Sequence, residues 1–328
     1  MPDTLPETYK VWAWRSGAEP LDLRLEERPL PTPGPGEVLV RNHVVGLNPV
    51  DWKILDGSLI PLTAGQVPGV DGAGTVVALG AGVDTARLGQ RVAYHQNLRS
   101  HGSFAEYTPI RASVLMRVPP GLDFTVAATF PCPAMTAWLA LEKLPIRFGA
   151  QLLVSGAGGA VGGYLVQKAV KRGWTVTTLS DPRHWERLRD FGATTTLPWS
   201  AAEGDAIGPF TAVIDTVGPD FAGRLAPLLR ANGHLVCIQG RVPDWPNEPF
   251  GRALSLHEVA LGALHRHGDA EDWAHLTLAG EQLLAAIAEG RLRPEPTVER
   301  PFNELPRLLD ELRHRAFTGK PVARILPD

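Results

Sequence analysis

LLVSGAGGAVGGYLVQKAVKRGWTVTTLSD, residues 152–181, runs from an apolar stretch into Gly156, Gly159 and Gly162, then into a segment whose apolar residues Leu165, Val166, Ala169 and Val170 recur at helical spacing. A second β-branched run follows and ends near Leu179. Strand, glycine turn, helix and strand within about thirty residues form the unit that holds a dinucleotide. Glycine lets the backbone turn sharply and approach a pyrophosphate, and the helix N-terminus offers free N–H groups and partial positive charge. The spacing is G-x-x-G-x-x-G. The commoner G-x-G-x-x-G fits Gly156 and Gly158 but would place its last glycine on Val161.

The end of the second strand selects the nicotinamide cofactor, because an acid there grips the ribose 2′-hydroxyl and repels a 2′-phosphate. Counting back from Phe191, Gly192 and Ala193, which open the next strand, puts that position at Leu179, which is not acidic. Ser180, Arg183 and His184 follow and could hold a phosphate, favouring NADPH over NADH. A strand ending two residues later would make Asp181 the ribose ligand and favour NADH. Arg183 and His184 could also simply open a solvated helix.

Downstream the chain alternates strands and helices. Gln151 to Ser155, Thr175 to Leu179, Ala212 to Asp215 and Leu235 to Gln239 read as strands, which predicts an α/β domain around a doubly wound parallel sheet. Upstream, from Lys10 to about Val118, valine-rich runs are divided by Pro and Gly, as in PTPGPGEVLVRNHVVGLNP (31–49). That texture predicts a barrel-like or sandwich β fold. FTVAATFPCPAMTAWLALEKL (124–144) reads as an amphipathic helix at the domain boundary. The tail from about Thr297 reads as strand, helix, turn and strand returning to the first domain. The expected division is 1–125 with 263–328 as the β-rich domain and 126–262 as the dinucleotide domain.

The 328 residues suffice for two cores, and a formal net charge of −3 gives no electrostatic footprint for nucleic acid or an anionic membrane. Two cysteines, Cys132 and Cys237, suit a reducing compartment, and the N-terminus lacks the apolar run of a signal peptide, so a cytoplasmic protein with a small-molecule partner is expected. The uncharged stretch Phe148 to Gln167 approaches membrane-spanning length, but six glycines make it a turn in a soluble domain. His265 and His267 flank an arginine and read as an exposed helix end, not as metal ligands.

Seven segments in order carry a resemblance: GLNPVDWKILDG (46–57), VPGVDGAGTVVALGAGV (67–83), GSFAEYTPI (102–110), AATFPCPAMTAW (127–138), the glycine turn, AVIDTVG (212–218) and TGKPVARI (318–325). Together they resemble the zinc-independent quinone oxidoreductases of the medium-chain dehydrogenase/reductase superfamily. The resemblance implies a GroES-like catalytic domain, a Rossmann domain, a cleft between them and a homodimer. In zinc-dependent alcohol dehydrogenases of that superfamily three side chains hold the metal. The corresponding positions here are Asn48, Val70 and Cys132, of which only the last is a plausible ligand, so no zinc is expected.

Without a metal, a quinone or an α,β-unsaturated carbonyl is the fitting acceptor, since either delocalises the charge left by hydride transfer from the nicotinamide C4. Asn48 is a candidate donor of a neutral hydrogen bond near the nicotinamide. Lys53 falls where related enzymes carry a tyrosine, and is otherwise a surface lysine. Asp51 is a candidate catalytic carboxylate, or else fixes its loop by accepting backbone N–H groups. Thr136 resembles a threonine beside the nicotinamide, or caps a helix, and Cys132 is otherwise a small apolar residue. Asp215, Gly218 and Gly240 are expected to line the cofactor cleft at the carboxyl edge of the sheet. Trp199 is placed beside the adenine or in the core, and Trp12, Trp14 and Trp52 beside the substrate or in the core. Two other functions are open: an NADPH-binding protein with little turnover, serving as a redox sensor or structural partner, and a methyltransferase, which the β-rich first half does not fit.

Overall fold

The computed structural model describes residues 5–203 and 207–325. In chain order, strands β1 (Thr8–Ala13), β2 (Arg24–Pro29) and β3 (Glu37–Gly46) lead to a short helix α1 (Pro49–Lys53). Strands β4 (Asp71–Leu79), β5 (Arg91–His95), β6 (Tyr107–Arg111) and β7 (Leu115–Arg117) follow. Helices α2 (Phe124–Ala128) and α3 (Pro131–Glu142) lead into β8 (Gln151–Ser155), α4 (Ala160–Lys171), β9 (Thr175–Leu179), α5 (Trp185–Asp190), β10 (Thr195–Leu197), β11 (Phe210–Asp215), α6 (Pro219–Leu225), β12 (Leu229–Cys237) and β13 (Ser255–Glu258). The chain closes with α7 (Leu264–His267), α8 (Ala270–Ala288), β14 (Thr297–Pro301), α9 (Leu305–Arg313) and β15 (Lys320–Arg324). It divides into two compact units, Met1–Cys132 with Gly262–Asp328, and Pro133–Leu261.

The second unit is built on a six-stranded sheet in the order β10-β9-β8-β11-β12-β13, every pair parallel. Relabelled from its first strand, this is the doubly wound order 3-2-1-4-5-6. Strands covered on both faces are apolar throughout rather than alternating, and all six residues of β11 are buried, as are four of the five in β8. Strand order reverses between β8 and β11, which opens the crevice where ligands of such sheets bind.

The first unit carries a seven-stranded sheet, β14-β15-β3-β4-β5-β7 with β6 also on β3, and a separate β1-β2 hairpin. Only the β14-β15 pair is parallel; β15 runs antiparallel on β3, register Val322 to Gly46. A buried Asn42 ties the strands together. Its Nδ2 donates to Ala105 O at 2.7 Å and Thr108 Oγ1 at 2.9 Å, and its Oδ1 accepts from Tyr94 Oη at 2.7 Å. A β-rich unit and a doubly wound parallel sheet are the architecture the sequence predicts.

Two local readings are corrected. Residues 124–144 are not one amphipathic helix: the chain breaks at Thr129 and Phe130, between α2 and α3. Pro131 opens α3, and a proline biases the residue before it away from helical backbone. Most of α3 is buried all round, so it has no solvent face to show as periodicity. The strand expected at Leu235 to Gln239 begins at Leu229 and ends at Cys237; its Arg230, Ala231 and Asn232 are exposed, which hid its first half among polar residues. Among the described residues no helix is long and apolar enough to cross a membrane.

Candidate functional site

In the second unit the glycine turn occupies the reversal point of the sheet. Gly156 takes φ +68°, the left-handed region, and its N–H bonds Leu179 O at 3.0 Å, tying the turn to the end of β9. Each glycine of the string does something different. A Cβ on Gly162 would lie 2.4 Å from the Ala157 backbone, so this glycine lets α4 pack against the turn. A Cβ on Gly159 would meet nothing nearer than Gly156 O at 3.6 Å, and Gly159 has the ordinary extended backbone of a helix N-cap. No packing demand of the chain itself explains that glycine. It leaves a cradle, open beside the first N–H groups of α4, which have no acceptor within their own helix. That cradle fits a pyrophosphate.

The other residues expected at the cofactor surround the same edge. Ser155 Oγ donates to Asp215 Oδ1 at 2.5 Å across the reversal point, and Asp215 Oδ2 accepts from Val217 N at 3.1 Å and Gly218 N at 2.8 Å. Asp215 thus shapes the turn after β11. Burial raises its pKa, opposed by those three donors. Gly240 lies three residues beyond β12 with φ +115°, and a Cβ there would lie 3.2 Å from Pro219.

β9 ends at Leu179, and the following Ser180 is buried, its hydroxyl turned to Asp181 O at 3.4 Å. The Asp181 carboxylate accepts from Arg183 N at 3.0 Å and lies 3.8 Å from the exposed Arg183 guanidinium. Arg183 Nε donates to His184 Nε2 at 3.2 Å. Burial, then Arg187 and Arg183, lower the His184 pKa, with Asp181 opposing. A side chain on Gly158 would strike that ring, at 2.2 Å from Cδ2. Arg187, which the sequence reading passed over, donates to Gly158 O at 2.8 Å and brings a guanidinium to the turn. Its signal was its place one turn into the helix after β9. Thr136 sits buried in the middle of α3, where it caps nothing, and no hydrogen bond joins it to the turn among the described residues. Trp199 is 39% exposed and packs edge-on against Phe221, ring centres 5.5 Å apart.

In the first unit, Asn48 precedes α1 and Asp51 is its third residue. Asp51 is fully buried; its two oxygens accept from Asn48 N at 2.7 Å and Val70 N at 3.1 Å. It fastens the loop to the start of β4. Burial pushes its pKa up to about 7. Asp71, likewise buried, is pushed up to about 6, with Lys320 and Asn48 opposing. Asn48 Nδ2 donates to Asp71 Oδ2 at 2.9 Å, and both Asp71 oxygens accept from Cys132 N, at 3.0 and 3.1 Å. Lys320 Nζ donates to Leu47 O at 2.8 Å and to Asn48 Oδ1, and lies 3.8 Å from Asp71 Oδ2. Lys53 is half-buried with Nζ 5.7 Å from the centre of the Trp52 ring, and burial and Arg315 lower its pKa. Trp12 Nε1 donates to Phe302 O and Trp14 Nε1 to Gly17 O, both at 2.9 Å, and with Trp52 these rings pack on the core.

The other histidine reading changes. His265 is not an exposed helix end but half-buried, its Nε2 3.1 Å from Nδ1 of buried His95. Burial first, then neighbouring positive charge, lowers these rings to about 4 and about 3.

Asp51→Asn tests what that carboxylate does. An amide keeps one acceptor and sets an N–H against the other backbone donor, so the fold is expected to lose about 1–3 kcal/mol in denaturant titration. A carboxyl with a raised folded-state pKa stabilises most below its ordinary 3.8 and loses that stabilisation as pH rises through about 7. The variant's stability is therefore expected to fall less over that window than the wild type's.

A parallel sheet in this order, with an open glycine cradle at its reversal point, defines a dinucleotide-binding protein of the dehydrogenase kind. Residues 34–120 match the alcohol dehydrogenase GroES-like domain, and residues 192–322 the zinc-binding dehydrogenase family. A trans-enoyl reductase of Aspergillus terreus is 31% identical over 332 residues, 89% of this chain and 89% of that one. One of Penicillium oxalicum is 35% identical over 195 residues, so that the match spans only 52% of this chain and 52% of that relative's length. A chloroplastic quinone-oxidoreductase of Triphysaria versicolor is 28% identical over 233 residues, 66% of this chain and 70% of that one. The solved structure of an alcohol dehydrogenase superfamily protein from Novosphingobium aromaticivorans superposes with a TM-score of 0.82 at 27% identity, covering 97% of this chain and 100% of that one. The chain belongs to the medium-chain dehydrogenase/reductase superfamily, the alcohol dehydrogenase-like oxidoreductases.

The residues present do not fit the zinc that one family name implies. Among the described residues no three His, Cys, Asp or Glu side chains converge as a metal-holding group. Of the three ligand positions, Val70 is apolar and Asn48 has its oxygen taken by Lys320.

Proposed function

We propose that the protein is an NADPH-dependent reductase that delivers hydride to a quinone or an α,β-unsaturated carbonyl without zinc. The observation that carries this reading is the cradle at Gly159, open where a Cβ on Gly156, Gly158 or Gly162 would strike a neighbour. The backbone N–H groups at the start of α4 bind the pyrophosphate there. Arg183, with His184 beside it and Arg187 against the turn, takes a 2′-phosphate at the end of β9, where no acid ends the strand. Bound in this way, NADPH supplies a hydride from its nicotinamide C4. Asn48 Nδ2 has two hydrogens and gives one to Asp71. The second donates to the substrate oxygen as negative charge develops on it. Asp51 holds that loop in place, and Lys53 or water returns the proton. The names of the trans-enoyl reductase and quinone-oxidoreductase relatives support a conjugated acceptor. The same reading makes the protein a cytoplasmic homodimer acting on a small molecule.

Loss of NADPH absorbance with benzoquinone and with a panel of enals and enones tests it, with NADH in parallel and a metal chelator present. Turnover that favours NADPH and ignores the chelator is expected. NADPH binding without turnover on any acceptor contradicts the reading and leaves a cofactor-binding sensor or structural protein.

A further inference from the structure

Lys320 is one of only six lysines in the chain, and its ammonium is buried where three strand ends meet. It is the first residue of β15, Asp71 is the first of β4, and Asn48 follows closely on the last residue of β3. Leu47 N bonds Pro321 O at 3.0 Å, which locks this corner. An ammonium only donates and an ionised carboxylate only accepts. Asn48, placed between them, can therefore sit in one orientation alone, Oδ1 toward Lys320 and Nδ2 toward Asp71. A buried ion pair is weak support for a fold, since apolar replacements often serve as well. What such a pair does here, and an apolar pair would not, is orient an amide. The position where zinc enzymes of the superfamily place a metal ligand is thus held by an amide bonded to a lysine.

We propose that Lys320 is a positioning residue for the proposed reductase, fixing the Asn48 amide so that its second Nδ2 hydrogen faces the substrate oxygen. This rests on the reductase reading above. Lys320→Met alone leaves Asp71 buried without its cation and is expected to destabilise the fold. In the full-length chain, Lys320→Met with Asp71→Asn removes both charges and restores much of that stability. A structural pair would regain kcat together with melting temperature.

The proposal predicts otherwise: the double variant melts near wild type, binds NADPH with unchanged affinity by fluorescence titration, and has a kcat about 10–100-fold lower. A second variant keeps the test open if the double variant does not fold. Lys320→Arg preserves the charge, but a planar guanidinium is wider than an ammonium and cannot centre its charge where Nζ sits between Leu47 O and Asn48 Oδ1. It is expected to fold and to lose about tenfold in kcat. Wild-type kcat in either folded variant overturns the assignment of Lys320 and leaves the reductase reading intact. Wild-type protein that binds NADPH but reduces neither quinones nor enones overturns that reading, and this inference with it.

Discussion

Gly159→Asp is expected to abolish binding of NADPH and NADH alike while leaving the protein as stable as wild type or slightly more so. Gly159 is the N-cap of α4 with φ −86° and ψ 173°, a backbone that aspartate adopts without strain. A Cβ there has room, with Gly156 O at 3.6 Å its nearest neighbour. Aspartate is a better N-cap than glycine by a few tenths of a kcal/mol. Yet its carboxylate would take the helix N–H groups and set a negative charge where the pyrophosphate is proposed to bind. A loss of at least about a hundredfold in affinity, near 2.8 kcal/mol, is expected for both cofactors. Gly162→Ala is the contrasting case, for its Cβ would lie 2.4 Å from the Ala157 backbone, and it should lower the melting temperature itself. Unchanged dissociation constants in Gly159→Asp would remove the pyrophosphate from this turn.

Arg183→Ala is expected to weaken NADPH by about 10–100-fold and NADH by less than about threefold, the effect of losing one charge-assisted hydrogen bond to a phosphate. Arg183 is exposed, and its partners Asp181 and His184 lie at its own turn, so the fold should not register the change. Equal losses for both cofactors would refute the 2′-phosphate assignment. Arg187→Ala should differ, weakening both cofactors, because its guanidinium bonds the turn itself at Gly158 O.

Local signals made the second unit legible. The sequence between Gln151 and Leu179 holds strand, turn, helix and strand with little dependence on the rest of the chain, and the structure returns β8, α4 and β9 there. Leu179 as the strand end followed from counting back from Phe191, Gly192 and Ala193, and it holds although Phe191 caps α5 and the next strand opens only at Thr195. The first unit's corner was less visible because its parts lie far apart in sequence. Lys320 reaches Asn48 across 272 residues, and Asn48 reaches Asp71 across 23. The motif GLNPVDWKILDG drew attention to Asn48, Asp51 and Lys53 as neighbours, but nothing local showed which residue would meet an amide and which a backbone N–H. His265 failed in the same way: beside Arg266 it reads as surface, and only the fold sets it against His95, 170 residues earlier. Helix α3 misled for another reason, since a helix buried all round has no apolar stripe to count.

Hydride delivery to a conjugated acceptor is tested by following the hydride itself. NADPH deuterated at the transferring face of nicotinamide C4 would be oxidised with a simple enone, and the product examined by mass spectrometry and NMR. One deuterium is expected on the β-carbon of the saturated ketone, at the same extent with a chelator present. Enone and benzoquinone both recovered unreduced by protein that binds NADPH, or enone reduced without deuterium at that carbon, would contradict it.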